Sequence, residues 1–436
     1  MTTLQWEELY PDARHTWMTA RLKSEFAGLL PVGTKDARAS RTGQAAVIFH
    51  SYSLGVSTNR DRVAYDHDRN RLGARIVQFM EYYNAEVSRW MRAGMPKDSR
   101  VVDDFVDYDK IKWSEHLKAE LTRERYGQFD NSHIRTAMYR PFSKQYLYYD
   151  ALVDDRPASF DEVFPVPATE AENMVIVVSD QGYRSAFNAL ATNIIPDLHL
   201  CASTDTFQCF PVYTYAEDGS NRRDNITDWA LGKFQTAYGS GITKRDIFAY
   251  VYSIFHHPQY REHFAENLKR ELPRVPLLPS RAEFETCVRI GEALMKLHLG
   301  YEKVEEYPLQ HVENPASLIN WRVQRMKLAP DRSAVIYNDW LTLAGILPEC
   351  FEYRLGTRSA LEWVIRQYRV STDARSEITS DPNRPNELEY IVRLVGRVVT
   401  VSVETVRLVK ELAAAVSLDS VIGAPLVESQ VGAPGD

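Results

Sequence analysis

Residues that could do chemistry fall into a few groupings, each of which needs a particular geometry. Gly239-Ser240-Gly241-Ile242-Thr243-Lys244 echoes a phosphate-cradling loop, but the G-x-x-x-x-G-K-[ST] pattern is missing, so no NTP motor is expected. His256, His257 and His263 offer imidazoles, yet two are adjacent and straddle a helix end. No H-x-x-x-H or cysteine pair completes a tetrahedral metal set, which leaves capping or packing as their reading. Asp103, Asp104, Asp107 and Asp109 read as a solvated acidic loop without the defined ligand loop that Ca²⁺ or Mg²⁺ requires. Three catalytic patterns are absent: the Asn/Asp-Pro-Pro-Tyr/Phe loop that holds an exocyclic amine for methyl transfer, the nuclease D-x-K or E-x-K, and G-x-S-x-G. Neither catalytic residues nor bound cofactors or metals are expected here.

What remains is a charge asymmetry. The 436 residues are 44% hydrophobic and 25% charged, ordinary globular proportions that exclude a disordered chain, a collagen-like repeat or a coiled-coil rod. Fifty-two basic and fifty-nine acidic residues give a net charge of −7, so affinity for polyanions cannot belong to the whole surface. Asp12 to Arg75 nevertheless holds eleven Lys and Arg against six Asp and Glu, and a local basic patch is expected there. The four cysteines, Cys201, Cys209, Cys287 and Cys350, are too scattered for a disulfide framework, which suits a reduced, cytoplasmic setting. Met1 to Tyr10 lacks a signal-like pattern, and Arg393 and Arg397 interrupt the apolar run Ile391 to Val403, so neither a signal peptide nor a membrane span is expected.

The elements that would position a site follow from periodicity. Ala45 to His50 reads as a short buried strand leading into the polar stretch Ser51 to Asp61. Leu72, Ile76, Phe79, Met80, Tyr83, Val87 and Trp90 predict an amphipathic helix from about 70 to 92, and Trp113, Leu117 and Leu121 a second around Ile111 to Tyr126. Between about 130 and 225, the runs Tyr146 to Tyr149, Met174 to Ser179, Leu198 to Ala202 and Phe207 to Tyr215 predict strands separated by Pro, Gly, Asn and Asp. Thr243 and Asp246, and Ser280 and Glu283, are spaced as capping pairs for two later helices. Leu272 to Pro279 must be extended, because its three prolines cannot stay helical. Short strands near Val335 to Trp340 and Phe351 to Leu355, helices after Ser359 and near Glu387, and a frayed tail complete the chain. The fold class is therefore mixed α/β: a sheet-rich lobe with helical layers and a C-terminal α/β segment. Boundaries are expected at 1–66 (basic opening segment), 67–130 (helical spacer), 131–242 (sheet-rich lobe), 243–330 (helical region), 331–422 (C-terminal α/β segment) and 423–436 (tail).

Several stretches in this order resemble one family. They are Gly55-Val56-Ser57-Thr58-Asn59-Arg60-Asp61; Tyr139-Arg140-Pro141-Phe142 with Leu147-Tyr148-Tyr149-Asp150; Cys209-Phe210-Pro211-Val212-Tyr213; Asp246 to Arg261 continuing to Leu272-Pro273-Arg274-Val275-Pro276; and Leu361-Glu362-Trp363 with Tyr368. Each is weak alone. Together, from residue 50 to 370, they resemble the C-terminal target-recognition region of Type ISP single-polypeptide restriction-modification enzymes. The resemblance implies sequence-specific recognition of duplex DNA, directing N6-adenine methylation and ATP-driven cleavage by methyltransferase, translocase and nuclease domains elsewhere. It also implies that residues 1–66 hold the closing strands of the methyltransferase core, and that S-adenosylmethionine, ATP and Mg²⁺ serve the parent or partner polypeptide. Two other readings stay open: a non-catalytic defence-system subunit that binds a protein, and an enzyme with noncontiguous catalytic residues.

Under the implied function, Thr58, Asn59, Arg60 and Arg62 would clamp phosphates near a flipped adenine, or else form a turn with an Arg60/Asp61 surface pair. Arg140 is either displayed towards DNA or part of a framework corner. Gln181 and Arg184, and Ser203, Thr204 and Gln208, occupy polar loops after sheet strands, from which Gln can bridge adenine and Arg guanine. Arg222, Arg223, Lys244 and Arg245 are further phosphate or base contacts, with solvated surface as their alternative.

Overall fold

A computed structural model describes residues 22–40, 45–95 and 98–422, and its architecture is mixed α/β. The expected tail and Met1 to Tyr10 lie outside the described residues. Helix α1 (Arg69–Arg92) starts where the Asp68 side chain accepts from the Arg71 N–H, and it buries the whole stripe from Leu72 to Trp90. The shorter α2 (Glu115–Thr122) packs on it.

One four-stranded antiparallel sheet divides the interior. Its order is β1 (Ser53–Leu54), β8 (Phe207–Pro211), β5 (Val175–Ser179), β6 (Ala189–Thr192). Alternate residues of a strand face opposite sides. In β5, Val175 and Val177 therefore enter one core while Ile176 and Val178 enter another, and no residue of the strand reaches solvent. The first core also holds α1, α2 and a second sheet, ordered β2 (Tyr65–Asp66), β4 (Ser143–Tyr148), β3 (Ile134–Arg140), β7 (Ile195–Pro196). The second core is helical. It is built by α3 (Asp228–Tyr238), α4 (Lys244–Ile254), α5 (Pro258–His263) and α6 (Arg281–Leu299), with both expected capping boxes formed at Thr243/Asp246 and Ser280/Glu283. A third sheet, β9 (Gln310–Glu313), β12 (Leu341–Ala344), β11 (Ala334–Ile336), β10 (Lys327–Leu328), precedes α7 (Ala360–Gln367), the hairpin β13 (Ser371–Thr372) and β14 (Thr379–Ser380), and α8 (Tyr390–Ala415). Helix α8 spans both cores, giving Val395 and Val399 to the first and Leu408 and Leu412 to the second. Among the described residues, no helix is long and apolar enough to cross a membrane.

Three expectations need correction. Leu198 to Ala202 is a turn, because the Asp197 carboxylate accepts the His199 N–H at 2.8 Å and folds the chain back after β7. Ala45 to His50 does not form a strand, although Val47, Ile48 and Phe49 are buried. Phe49 alone bridges Ile226, while Val47 O accepts the Thr227 hydroxyl. Phe351 ends a 3₁₀ turn (Pro348–Phe351), and only Arg354–Leu355 pairs as a strand.

Three helices meet at His298. Tyr252 Oη of α4 accepts the Ala191 N–H, so its hydroxyl donates to His298 Nδ1 at 2.5 Å, and the imidazole Nε2–H donates to Thr405 Oγ1 of α8 at 2.9 Å. A proton on Nδ1 would oppose a donor to a donor. Burial, with a smaller push from Arg261, lowers the His298 pKa to about 3. The unfolded chain thus takes up this proton first as pH falls below 6.5, and the native state loses stability. Between pH 7 and 5 this group should remove about 2 kcal/mol. Urea melts of wild type and His298→Gln at both values should show a shallower loss in the variant; parallel losses would refute the assignment.

Candidate nucleic-acid interface

The loop after β1 is set by close backbone packing. Gly55 lies where a Cβ would meet Asp197 O at 2.5 Å, and Val56 bridges Asp197. Only glycine permits that approach. The chain then turns: Thr58 Oγ1 donates to Asp61 Oδ1 at 2.6 Å, and Asn59 adopts φ 53°. Lys112 Nζ closes the turn by donating to Asn59 O at 2.6 Å and Oδ1 at 2.9 Å.

This geometry corrects the expected roles of two residues. Thr58 is buried with its hydroxyl committed to Asp61. Arg60 points inward and donates to Val153 O and, at 3.0 Å, to Ser114 Oγ, with its guanidinium over the Phe79 ring. At 5% exposure it cannot reach a phosphate; it ties the loop to α2. Arg140 is likewise a framework residue. It donates to Asp197 Oδ1 at 2.6 Å, lies 3.9 Å from Asp61 and stacks on Tyr139, whose hydroxyl donates to Asp61 Oδ2 at 2.9 Å. Burial opposes its charge, but the Asp197 carboxylate holds the Arg140 pKa above its ordinary value.

Arg62, in contrast, opens onto a polar cleft of about 220 Å³ between the 58–62 loop, α7 and the β13–β14 hairpin. Arg358, Arg366, Arg369 and Ser203 line the same cleft, and Arg62 Nη1 donates to Ser371 Oγ at 3.3 Å. Arg325 joins the cluster through its backbone bridge to Arg369. The fold holds these cations together by local means. Gly356, at φ 68°, presses against Cys201 O and donates its N–H to Asn188 Oδ1 at 2.8 Å, fixing the turn that carries Arg358. The Ser359/Glu362 capping box starts α7, whose buried Trp363 and Tyr368 leave Arg366 outside.

Two acidic residues reach the cleft, and both are engaged. Asp61 serves Thr58 and Tyr139, and Asp66 is held by Arg71 and Arg75. The hairpin's Asp373 caps the backbone of Arg375 and Ser376. Among the described residues, Arg62, Arg325, Arg358, Arg366 and Arg369 form no ion pair. Burial, followed by Arg366, lowers the pKa of both Arg358 and Arg369, and Arg325 and Arg62 add to the effect on Arg369. The Glu362 carboxylate offsets part of this at Arg358, but adjacent guanidiniums that form no ion pair repel one another until an anion arrives.

The remaining candidates divide into three places. Thr204 is exposed beside Ser203. Asp205 binds their turn to the next loop, accepting the Arg184 N–H at 3.0 Å, while the Arg184 side chain is 76% exposed with only a 3.5 Å approach to Asp205. Gln181 and Gln208 line another cavity, of about 650 Å³, where Gln208 Nε2 donates to Asp180 Oδ1 at 3.1 Å. Arg222 pairs with Glu172 at 3.2 Å and stacks on Tyr213. Arg223 and Arg245 are exposed. Lys244 is a correction: it bridges Asp228 at 2.8 Å and Asp224 at 3.2 Å, stapling α3 to α4, so its own charge is committed. The Gly239 to Lys244 stretch is therefore a helix connection and does not fit a nucleotide phosphate. His256, His257 and His263 turn to Tyr252 O, Val416 O and Glu25, and among the described residues no group of three or more ligating side chains could hold a metal. The arginines of 325–369 escaped the sequence reading, although Arg366 and Arg369, three apart at a helix end, were a usable signal.

Comparison with known proteins bears on what this surface meets. Curated proteins give no match. The chain is similar to a solved nuclease-deletion mutant of the Type ISP restriction-modification enzyme LlaGI in complex with a DNA substrate mimic, with TM-score 0.80 and 31% identity over 94% of this chain and 36% of that one. It is similar to DrdV in a DNA complex, with TM-score 0.81 and 31% identity over 94% of this chain and 40% of that one. It is similar to the ATP-dependent Type ISP enzyme LlaBIII bound to DNA, with TM-score 0.79 and 27% identity over 93% of this chain and 25% of that one. The chain thus spans well under half the length of each. A family model described as the Type ISP C-terminal specificity domain matches residues 47–395, most of the sequence, and the chain belongs to that family.

Proposed function

We propose that this chain recognises a target sequence in duplex DNA for a Type ISP restriction-modification system. Bond making and breaking belong to methyltransferase, translocase and nuclease parts outside it. The observation that carries this reading is the cleft whose arginines form no ion pair and whose two carboxylates are engaged elsewhere, continuous with the polar turns at Ser203 and Arg184, in a chain whose solved relatives are described as bound to DNA. The arginines grip phosphates and set register; the Arg184 and Gln181 loop and the exposed Thr204 present polar groups to base edges. Arg223 and Arg245 are outer phosphate contacts. Residues up to 66 adjoin, or complete, the methyltransferase core that flips the adenine. S-adenosylmethionine, ATP and Mg²⁺ belong to those other parts, and the work takes place in the cytoplasm.

A salt-titrated binding assay tests the reading. Affinity for a target duplex should fall log-linearly with salt. Arg184→Ala should reduce discrimination at one base pair about tenfold and leave the salt slope unchanged. Salt-independent binding, or equal affinity of wild type for all duplexes, would count against DNA recognition.

A further inference from the structure

A second cavity, of about 610 Å³, lies between α5, residues 405–410 of α8, the 183–188 loop and the 352–356 turn. Its volume suits a small organic ligand. Much of its wall is apolar, from Phe187, the Tyr353 ring, Val406 and Val409, but it also holds polar groups with open valences: His256, Arg261 and the unpartnered Tyr353 hydroxyl. His256 is 2% exposed. Its Nδ1–H donates to Tyr252 O at 2.8 Å, so Nε2 carries a lone pair, and that nitrogen has no hydrogen-bond partner. Arg261 donates through Nε to Phe255 O, and its terminal nitrogens make no hydrogen bond among the described residues.

The nearby acids do not neutralise Arg261. Glu352 is paired with Lys410 at 2.8 Å, and Glu262 is exposed at the rim. Burial lowers the Arg261 pKa, and only tyrosine hydroxyls oppose that shift. A half-buried cation without a counter-charge is costly, and so is a bare buried acceptor. One ligand group answers both. A singly protonated phosphate offers an O–H to His256 Nε2 and anionic oxygens to Arg261, whereas a carboxylate at neutral pH can only accept.

We infer that this cavity binds a phosphate monoester with an aromatic or aliphatic body, the phosphate seated on Arg261 and His256 and the body against Phe187, Tyr353 and Val409. This goes beyond DNA recognition and does not depend on it. Calorimetry on the full chain at pH 6 should find phenyl phosphate binding at least about tenfold tighter than inorganic phosphate or benzyl alcohol, the arms that offer only the anion or only the body. Arg261→Met should cost about tenfold or more. Val409→Trp, on a half-buried position of α8, should fill the cavity and abolish binding while leaving the melting temperature and duplex affinity unchanged. Phenyl phosphate no tighter than inorganic phosphate, or undiminished binding to a folded Val409→Trp protein, would overturn the inference.

Discussion

Replacing Arg366 and Arg369 together with alanine should weaken binding to every duplex by about a hundredfold at low salt, roughly tenfold for each guanidinium that no longer donates to a phosphate. The weakening should be uniform across sequences, since phosphates carry no base identity. The slope of log affinity against log salt should become shallower by about 2, because each missing guanidinium leaves about one counterion unreleased. The folded state should not suffer. Arg366 and Arg369 form no ion pair, and removing them relieves the repulsion from Arg366 that adds to burial in lowering the Arg358 pKa. A melting temperature that holds or rises while duplex affinity collapses is therefore the signature of a charged site kept ready for an anion. Unchanged affinity and slope in the double variant would remove the cleft from the DNA path.

Arg60 supplies the contrast within the same loop. Its alanine variant should behave as a packing defect, because the guanidinium is held by Val153 and Ser114 and lies over Phe79. The two arginines of the 58–62 loop thus separate by environment: Arg62 looks into the cleft and Arg60 into the core.

That separation explains what was legible in the sequence. Features with local causes were readable. The α1 stripe, the capping boxes at Thr243/Asp246 and Ser280/Glu283 and the extended Leu272–Pro279 stretch depend on residues a few positions apart, and the structure contains each of them. The family resemblance was readable for a similar reason, since several short motifs kept their order. The fate of a charge was not. Among the described residues, part of the basic surplus between Asp12 and Arg75 is consumed inside the fold: Arg71 and Arg75 by Asp66, Arg69 by the carbonyls of Asn131 and Ile134, and Arg60 by partners from distant segments. The cations gathered in the cleft come instead from the 325–369 region, together with Arg62, and only the tertiary fold brings them together. Net charge over a window counts side chains without knowing which are already neutralised. The Leu198 to Ala202 run shows a parallel limit for strands. Its apolar residues fill the core as a strand would, but Asp197, bound to His199 and Arg140, commits the backbone to a turn.

Arg140→Met should produce the largest drop in stability, about 3–5 kcal/mol, because it strips the partner from a buried carboxylate. Asp197 is 2% exposed, and burial already pushes its pKa up to about 6 against the pull of Arg140. Without the guanidinium, that carboxyl should titrate higher still, while in the unfolded chain it ionises near 3.8. A carboxyl raised in the folded state adds stability below its unfolded pKa and loses it as pH rises, so the defect should be smaller near pH 4 than at pH 7, by about 1.4 kcal/mol, the difference arising above the wild-type value. This slope opposes the one His298 imposes on the wild type, which makes the two separable in denaturant melts across pH. Function should follow the same pair. Asp197 holds the turn that carries Ser203 to the rim of the arginine cleft, and its backbone lies against Gly55 at the root of the loop that carries Arg62. At pH 7 the variant should therefore lose duplex affinity although Arg140 touches no DNA, and lowering the pH towards 5 should restore part of it relative to wild type. A variant whose stability shows the wild-type pH dependence would mean that Asp197 is not the group left exposed by the removal of Arg140.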